Sequence, residues 1–273
     1  MTSATLTSAP TSPASLTEMP FEPQPARPAR VSDAEWQARV ELAASYRALA
    51  LAGITDLTYN HLSARVPDQP DHFLIKSEHL FFNEVTASSL LKYDLGGTKL
   101  SGEGKVSRGG LVIHGGLMAS RPDLAAVFHT HTPANMAVSA QKWGLLPLTQ
   151  HAVRFFNRVG YYDFNGFEFH VDTREAMRTA IGTKLILVLR NHGVLIGGRT
   201  IPEAFLKHHF FEASCRAQVA ALSAGLENLI VIDDAAAEAA ASEHEALGYP
   251  DVNQRDWQAT LRLLETQAPT YRE

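Results

Sequence analysis

Cysteine is nearly missing from this chain. Cys215 is the single example in 273 residues, so no disulfide framework can form within the chain, and a reducing, cytoplasmic compartment is expected. Long apolar runs are missing too: none approaches the roughly 18 residues that would cross a bilayer, so no membrane partner is expected. Basic runs are also absent. With 24 Lys and Arg against 29 Asp and Glu, the net charge is -5, which argues against nucleic acid as a partner. Residues 1–30 carry no charge before Glu18 and are rich in Thr, Ser, Pro and Ala. They lack the positive start and apolar core of a secretory signal and read as a flexible arm. The glycine-rich stretch 102–110, GEGKVSRGG, has no Lys-Ser or Lys-Thr pair at the spacing a phosphate cradle needs.

What the chain does have is apolar material, 45% of its residues, and 12 histidines. The stretch LAAVFHTHT, residues 124–132, reads as a buried strand ending in two histidines one residue apart. Side chains two apart on a strand share a face, so His129 and His131 project together, as paired metal ligands must. His192, in Arg190-Asn191-His192-Gly193 after the apolar run 184–189, is a third candidate. Three neutral imidazoles with open positions suit one divalent ion in a catalytic role: zinc, iron, manganese or cobalt.

Helical and extended signals alternate along the rest. Ser32 and Glu35 have capping-box spacing before a helix that Gly53 closes. Strands are expected near 60–66 and 73–76, and a short helix over 84–91 with Thr86 as its cap. Further helices are expected over 111–120, 133–142, 173–181 (capped by Thr173 or Asp172) and 202–224, with strands at 185–189 and 194–196. Residues 234–247 and 253–266 read as added helices. The pattern is α/β in one body. Phe155, Phe156, Tyr161, Tyr162, Phe164, Phe167 and Phe169 form an aromatic patch, readable as core or as an apolar wall for a substrate.

Five motifs in order, Asn60-His61-Leu62-Ser63-Ala64-Arg65, EVTASSL (84–90), Arg121-Pro122-Asp123, His129-Thr130-His131-Thr132 and Asn191-His192-Gly193, resemble the class II aldolase and adducin head-domain superfamily. They span most of the chain, about residues 34–224, and EVTASSL leans toward the adducin-like branch. The first motif lacks the family's leading glycine. The resemblance implies a three-layer α/β/α subunit around a mostly antiparallel sheet, over 31–225, with a helical extension at 226–273. It also implies a homotetramer with active sites at subunit interfaces, and one divalent metal ion held by His129, His131 and His192.

The departures carry information. Gly110 stands where the aldolases have a catalytic Glu, and Arg108 and Gly109 replace two phosphate-binding serines. Glu78-His79 falls at a phosphate-binding Thr-Gly pair, and a carboxylate there repels phosphate. The resemblance therefore implies a non-phosphorylated 2-oxo or hydroxy carboxylic acid, split by metal-dependent lyase chemistry at a C–C bond. His151 falls near a tyrosine that the family supplies across the interface. His151, His114 and Glu78 are the expected catalytic groups. Arg108, Asn60 and Tyr161 are the expected substrate contacts, Arg108 through its planar fork. Glu212 is expected either to support a ligand histidine or to form a surface or interface salt bridge, and Arg65 to be structural. Two alternatives stand: a three-His non-haem iron oxygenase acting on an aryl 2-oxo acid, and a non-catalytic adducin-like oligomerising scaffold.

Overall fold

The computed structural model describes residues 31–166, 173–248 and 250–273. The expected arm at 1–30, Phe167 and Phe169 of the aromatic patch, and Asp172 as a cap lie outside them. The chain begins with helix α1 (Asp33–Leu51), then β1 (His61–Val66), β2 (Gln69–Ile75), β3 (Leu91–Asp94) and β4 (Lys99–Ser101). Next come α2 (Arg108–Ser120), β5 (Ala126–Thr130), α3 (Pro133–Ser139), β6 (Val159–Tyr162) and α4 (Thr173–Ile181). Strands β7 (Ile186–Leu189) and β8 (Gly193–Gly198) precede α5 (Ile201–Ala221), α6 (Asp234–Leu247) and α7 (Pro250–Gln267).

The strands form one sheet in the order β4-β3-β2-β1-β5-β8-β7-β6. Every pairing is antiparallel except β6 with β7. Side chains alternate across it as the pleat requires. Leu62, Leu74, Phe128 and Ala126 pack with α1, α5 and α7 on one face. Phe73, Leu91, Val127 and Leu195 pack with α2 and α4 on the other. Val194 and Ile196 meet α3 and α5 through Val138, Phe211 and Cys215. The result is the expected three-layer α/β/α arrangement. Helix α7 joins the first face directly, burying Trp257 and Leu264.

Most helix starts follow their caps. Ser32 accepts from the Glu35 amide at 3.1 Å, Thr132 from Asn135 at 3.0 Å and Thr200 from Glu203 at 3.1 Å. Helix α2 starts earlier than expected because Ser107 caps it, accepting from the Gly110 amide at 3.2 Å. The expected helix over 84–91 is a correction. A 3-10 turn, Phe82–Glu84, is followed by a tight Thr86-Ser89 turn. The amides of Ala87 and Ser88 donate to Tyr271 and Glu273 carbonyls, at 3.0 and 2.8 Å, instead of continuing a helix. The aromatic patch builds β6 and the core beside it: Phe155 and Tyr162 are buried.

Arginines fasten the loops. Arg39 donates to the Leu90 carbonyl at 2.7 Å, Arg47 to Val85 at 2.8 Å, and Arg65 to Leu124 and Met118 at 3.0 and 2.8 Å. Arg121 reaches Gly182 and Lys184 at 2.8 Å each. The Glu35 carboxylate lies inside, 2% exposed, between Arg39 at 2.8 Å and Lys92 at 2.7 Å. Removing it leaves a buried guanidinium without its counter-charge. Glu35→Ala is therefore expected to lower unfolding free energy by about 3–5 kcal/mol in urea titrations. A loss near zero would show that Arg39 is satisfied by carbonyls alone.

Candidate metal centre

Strand β5 ends at Thr130, so His129 is its penultimate residue and His131 follows it. His129 pairs in register with Leu195 of β8, and Thr130 with Val194. The tight turn into β8 carries His192. Asn191 adopts a left-handed conformation there (φ 59), which asparagine tolerates better than most residues. A Cβ on Gly193 would lie 2.5 Å from the Thr130 carbonyl and 3.0 Å from the His131 ring, so only glycine lets the turn approach β5.

The three imidazoles converge. Nε2 of His131 stands 2.9 Å from Nε2 of His129 and 3.1 Å from Nε2 of His192, and all three ligand nitrogens fall within 4.8 Å of one another. Nδ1 of His129 donates to the Val194 carbonyl at 3.0 Å. Nδ1 of His131 donates to the Asp56 carboxylate at 2.9 Å. Both partners only accept, so in neutral rings the Nδ1 atoms hold the protons and the Nε2 atoms are bare. Burial, and then the neighbouring histidines, hold His129 well below the usual imidazole range, so it is neutral at pH 7. Two bare nitrogens at 2.9 Å repel one another unless a cation lies between them. Nitrogens about 2.1 Å from one ion and about 90–110° apart would stand about 3.0–3.4 Å from each other, close to the 2.9 and 3.1 Å that separate His131 from His129 and His192.

Asp56 is the carboxylate that orients His131, the usual second partner of a ligand imidazole. It precedes Leu57, whose φ of 46 places a branched residue in the left-handed region, so the turn is locally strained. Asn60 is 1% exposed, and its Oδ1 accepts from the His131 amide at 2.8 Å. It shapes the loop under the metal ligands, and it does not line the cavity.

A cavity of about 800 Å³ opens over the triad, with Lys76, Glu78, His61, Gly110, Ile113 and Phe164 among its walls. Of the expected catalytic groups only Glu78 reaches it, paired with Lys105 at 3.2 Å. His114 lies beneath the wall, fully buried, against His61 at 2.7 Å and Ser63 at 2.5 Å. Burial pulls its pKa to about 3, so it stays neutral and does not itself meet a substrate. His151 is exposed and outside the cavity wall, its ring 5.0 Å from that of Phe210. Arg108 is exposed at the start of α2 and outside the cavity wall. Tyr161 also lies elsewhere: its hydroxyl accepts from the Leu145 amide at 3.0 Å and Arg190 stacks on its ring at 4.5 Å. Glu212 holds Thr132 at 2.6 Å and Arg216 at 2.7 Å, steadying the cap of α3 and not a ligand histidine.

Sequence reading missed Asp56, His61 and Lys76. Asp56 carries no local signal, since its partner is 75 residues away. His61 sat within a recognised motif without a role. Lys76 ends the apolar run Phe73-Leu74-Ile75, which could have marked it as a cation carried inward on a strand. Its side chain is 2% exposed. Nζ donates to the Thr58 carbonyl at 2.8 Å and the Ser77 carbonyl at 3.3 Å, and burial lowers its pKa to about 8.

Comparison with known proteins is consistent with this geometry. The profile of the Class II Aldolase and Adducin N-terminal domain matches residues 40–219. A "Putative aldolase class 2 protein" of Caulobacter vibrioides is 40% identical over 243 residues, covering 89% of this chain and 94% of that one. Human beta-adducin is 42% identical over 201 residues, covering 71% of this chain but 28% of adducin. The crystal structure of an aldolase II superfamily protein from Pseudomonas syringae superposes with a TM-score of 0.86 at 41% identity, covering 89% of this chain and 98% of that one.

Two predictions arise here. His129→Ala or His131→Ala should abolish stoichiometric divalent metal in elemental analysis with an unchanged circular dichroism spectrum, and Asp56→Ala should weaken metal affinity by about 10–100-fold. A His131→Ala protein retaining a full metal equivalent would refute the ligand set. Separately, His114 and His208 are buried neutral, each with a pKa lowered from 6.5 to about 3 by burial. The unfolded chain takes up these protons below about pH 6.5, whereas the folded chain refuses them until about pH 3. Their stabilisation is therefore complete above pH 6.5 and lost as pH falls through that window, by about 2 kcal/mol per histidine at pH 5. Urea midpoints of metal-free protein at pH 7.5 and pH 5 measure it, and His208→Gln should have the shallower pH dependence.

Proposed function

Because the chain belongs to the class II aldolase and adducin family, we propose that its histidine-lined cavity holds one divalent metal ion and cleaves a C–C bond of a non-phosphorylated carboxylic acid. The observation that carries this reading is the convergence of bare Nε2 atoms beside a buried ammonium group. When bound, the ion supplies Lewis-acid polarisation of a substrate oxygen.

Lys76 takes the role first expected of Arg108. Its two acceptors are uncharged carbonyls, and among the described residues no carboxylate stands within ion-pair distance of Nζ. One N–H therefore remains for a substrate carboxylate, and such an anion would restore the favourable charge environment that burial removes. Val106, Ile113, Met136 and Phe164 give the cavity an apolar side for the body of the acid, with Phe164 as its aromatic component. Glu78 at the rim opposes a phosphate and is the carboxyl group within reach of a reacting carbon. C–C cleavage leaves an electron pair on carbon that must take a proton. Glu78, once it has taken the proton of the cleaved substrate hydroxyl, is one donor for it. His151, absent from the cavity of its own chain, is a second donor if a neighbouring subunit of a homotetramer delivers it.

The likeness to beta-adducin favours a second reading, an oligomerising scaffold. Metal content separates the two. Stoichiometric metal in protein purified without added chelator, together with cleavage of a 2-oxo or hydroxy acid, supports the lyase. A triad that binds no metal supports the scaffold, and substrate-dependent oxygen uptake would point to the oxygenase instead. With an active acid in hand, Lys76→Met should raise KM by about 10–100-fold with unchanged metal content, as expected for loss of a charge-assisted hydrogen bond. An unchanged KM would remove Lys76 from the binding site.

A further inference from the structure

His61 opens β1 directly opposite His129 of β5. It lines the cavity, yet it is outside the set of ligand nitrogens that lie within 4.8 Å of each other, so it does not share their ion. Its Nδ1 stands 2.7 Å from Nε2 of His114, and Nδ1 of His114 stands 2.5 Å from the Ser63 hydroxyl. Ser63 in turn donates to the Val127 carbonyl at 3.4 Å. With the Ser63 proton turned toward this carbonyl, which only accepts, the chain runs in one direction. Ser63 Oγ then accepts from Nδ1–H of His114, which leaves Nε2 of His114 bare to accept from Nδ1–H of His61. Ser63 and Val127 have no exposed surface, so no proton escapes by this route. In that direction the chain holds His61 with its proton on Nδ1.

We propose that His61 presents a bare Nε2 to the cavity and accepts a hydrogen bond from a substrate hydroxyl, which makes the substrate a hydroxy acid. This rests on the preceding reading that the cavity takes a carboxylic acid, and it narrows that class. Gly110 supports it independently. A Cβ at that position would lie 3.5 Å from Nε2 of His61, and closer still, at 3.1 and 3.2 Å, to Val106 and Ser107. Any longer side chain there would cover the face His61 offers to the cavity. Lys76, the neighbouring cation on the wall, is donor only, so a hydroxyl proton has no acceptor there. His61 is the substrate contact; His114 and Ser63 are positioning residues.

Long-range proton–nitrogen NMR correlation of the imidazoles in metal-free protein reads the tautomer directly. His61 is expected to carry its proton on Nδ1, and Ser63→Ala, by removing the acceptor for His114, should move the His61 proton to Nε2. An Nε2–H tautomer of His61 in the unaltered protein overturns the proposal. Calorimetry then compares lactate with propionate on zinc-loaded protein. His61→Phe should weaken lactate about 3–10-fold and leave propionate unchanged, as loss of one hydrogen bond to a neutral group would. Equal weakening of both acids also overturns the proposal, because it assigns His61 to cavity shape. If neither acid binds the unaltered protein, the carboxylic-acid reading is what fails. The His61 tautomer still decides whether the cavity offers a hydroxyl acceptor.

Discussion

The register of β5 against its two neighbours is the constraint on which the rest of the site depends. One ladder sets His129 opposite His61, and the other sets it opposite Leu195, one residue from the Val194 carbonyl that orients its ring. A slip of one residue on either side would turn His129 toward α1 and α5 and send Phe128 into the cavity. The apolar alternation that buries Val127 on one face and Phe128 on the other therefore aims the metal ligands as well as building the core. Packing and chemistry here are one specification.

What the sequence made legible was whatever depends on short spacing. The two-residue period of a strand placed His129 and His131 on one face, and Asn191-His192-Gly193 announced a turn whose two special residues do what their types allow. The side-chain cap at Ser32 was equally local. The misreadings lie where partners are remote. Residues 84–91 have helix-compatible residues, but their amides are claimed by the C-terminal stretch. Arg108 is exposed at the start of α2 and outside the cavity wall, whereas Lys76, just after β2, lines it. Tyr161 bonds to the Leu145 amide, a group that packing brings near.

The site also illustrates how buried imidazoles stay uncharged beside a lysine. His129 and His61 are held neutral chiefly by burial, so their lone pairs stay available. Two compromises accompany this. Leu57 accepts a left-handed backbone so that Asp56 can face His131, and α2 carries paired glycines in its interior, which cost about 1 kcal/mol each relative to alanine. Such local penalties are affordable only because three apolar clusters brace the surrounding sheet.

The arginines that fasten the loops have a consequence for how this molecule meets its solvent. Arg39, Arg47, Arg65 and Arg121 each hold backbone carbonyls of distant segments, so the loops are tied by a planar cation gripping peptide oxygen. Guanidinium in solution is the same chemical group and can compete for those same oxygens. Urea offers similar N–H donors to a carbonyl but no charge. Chemical denaturants should therefore not be interchangeable for this fold: one of them is a soluble copy of its own fastenings.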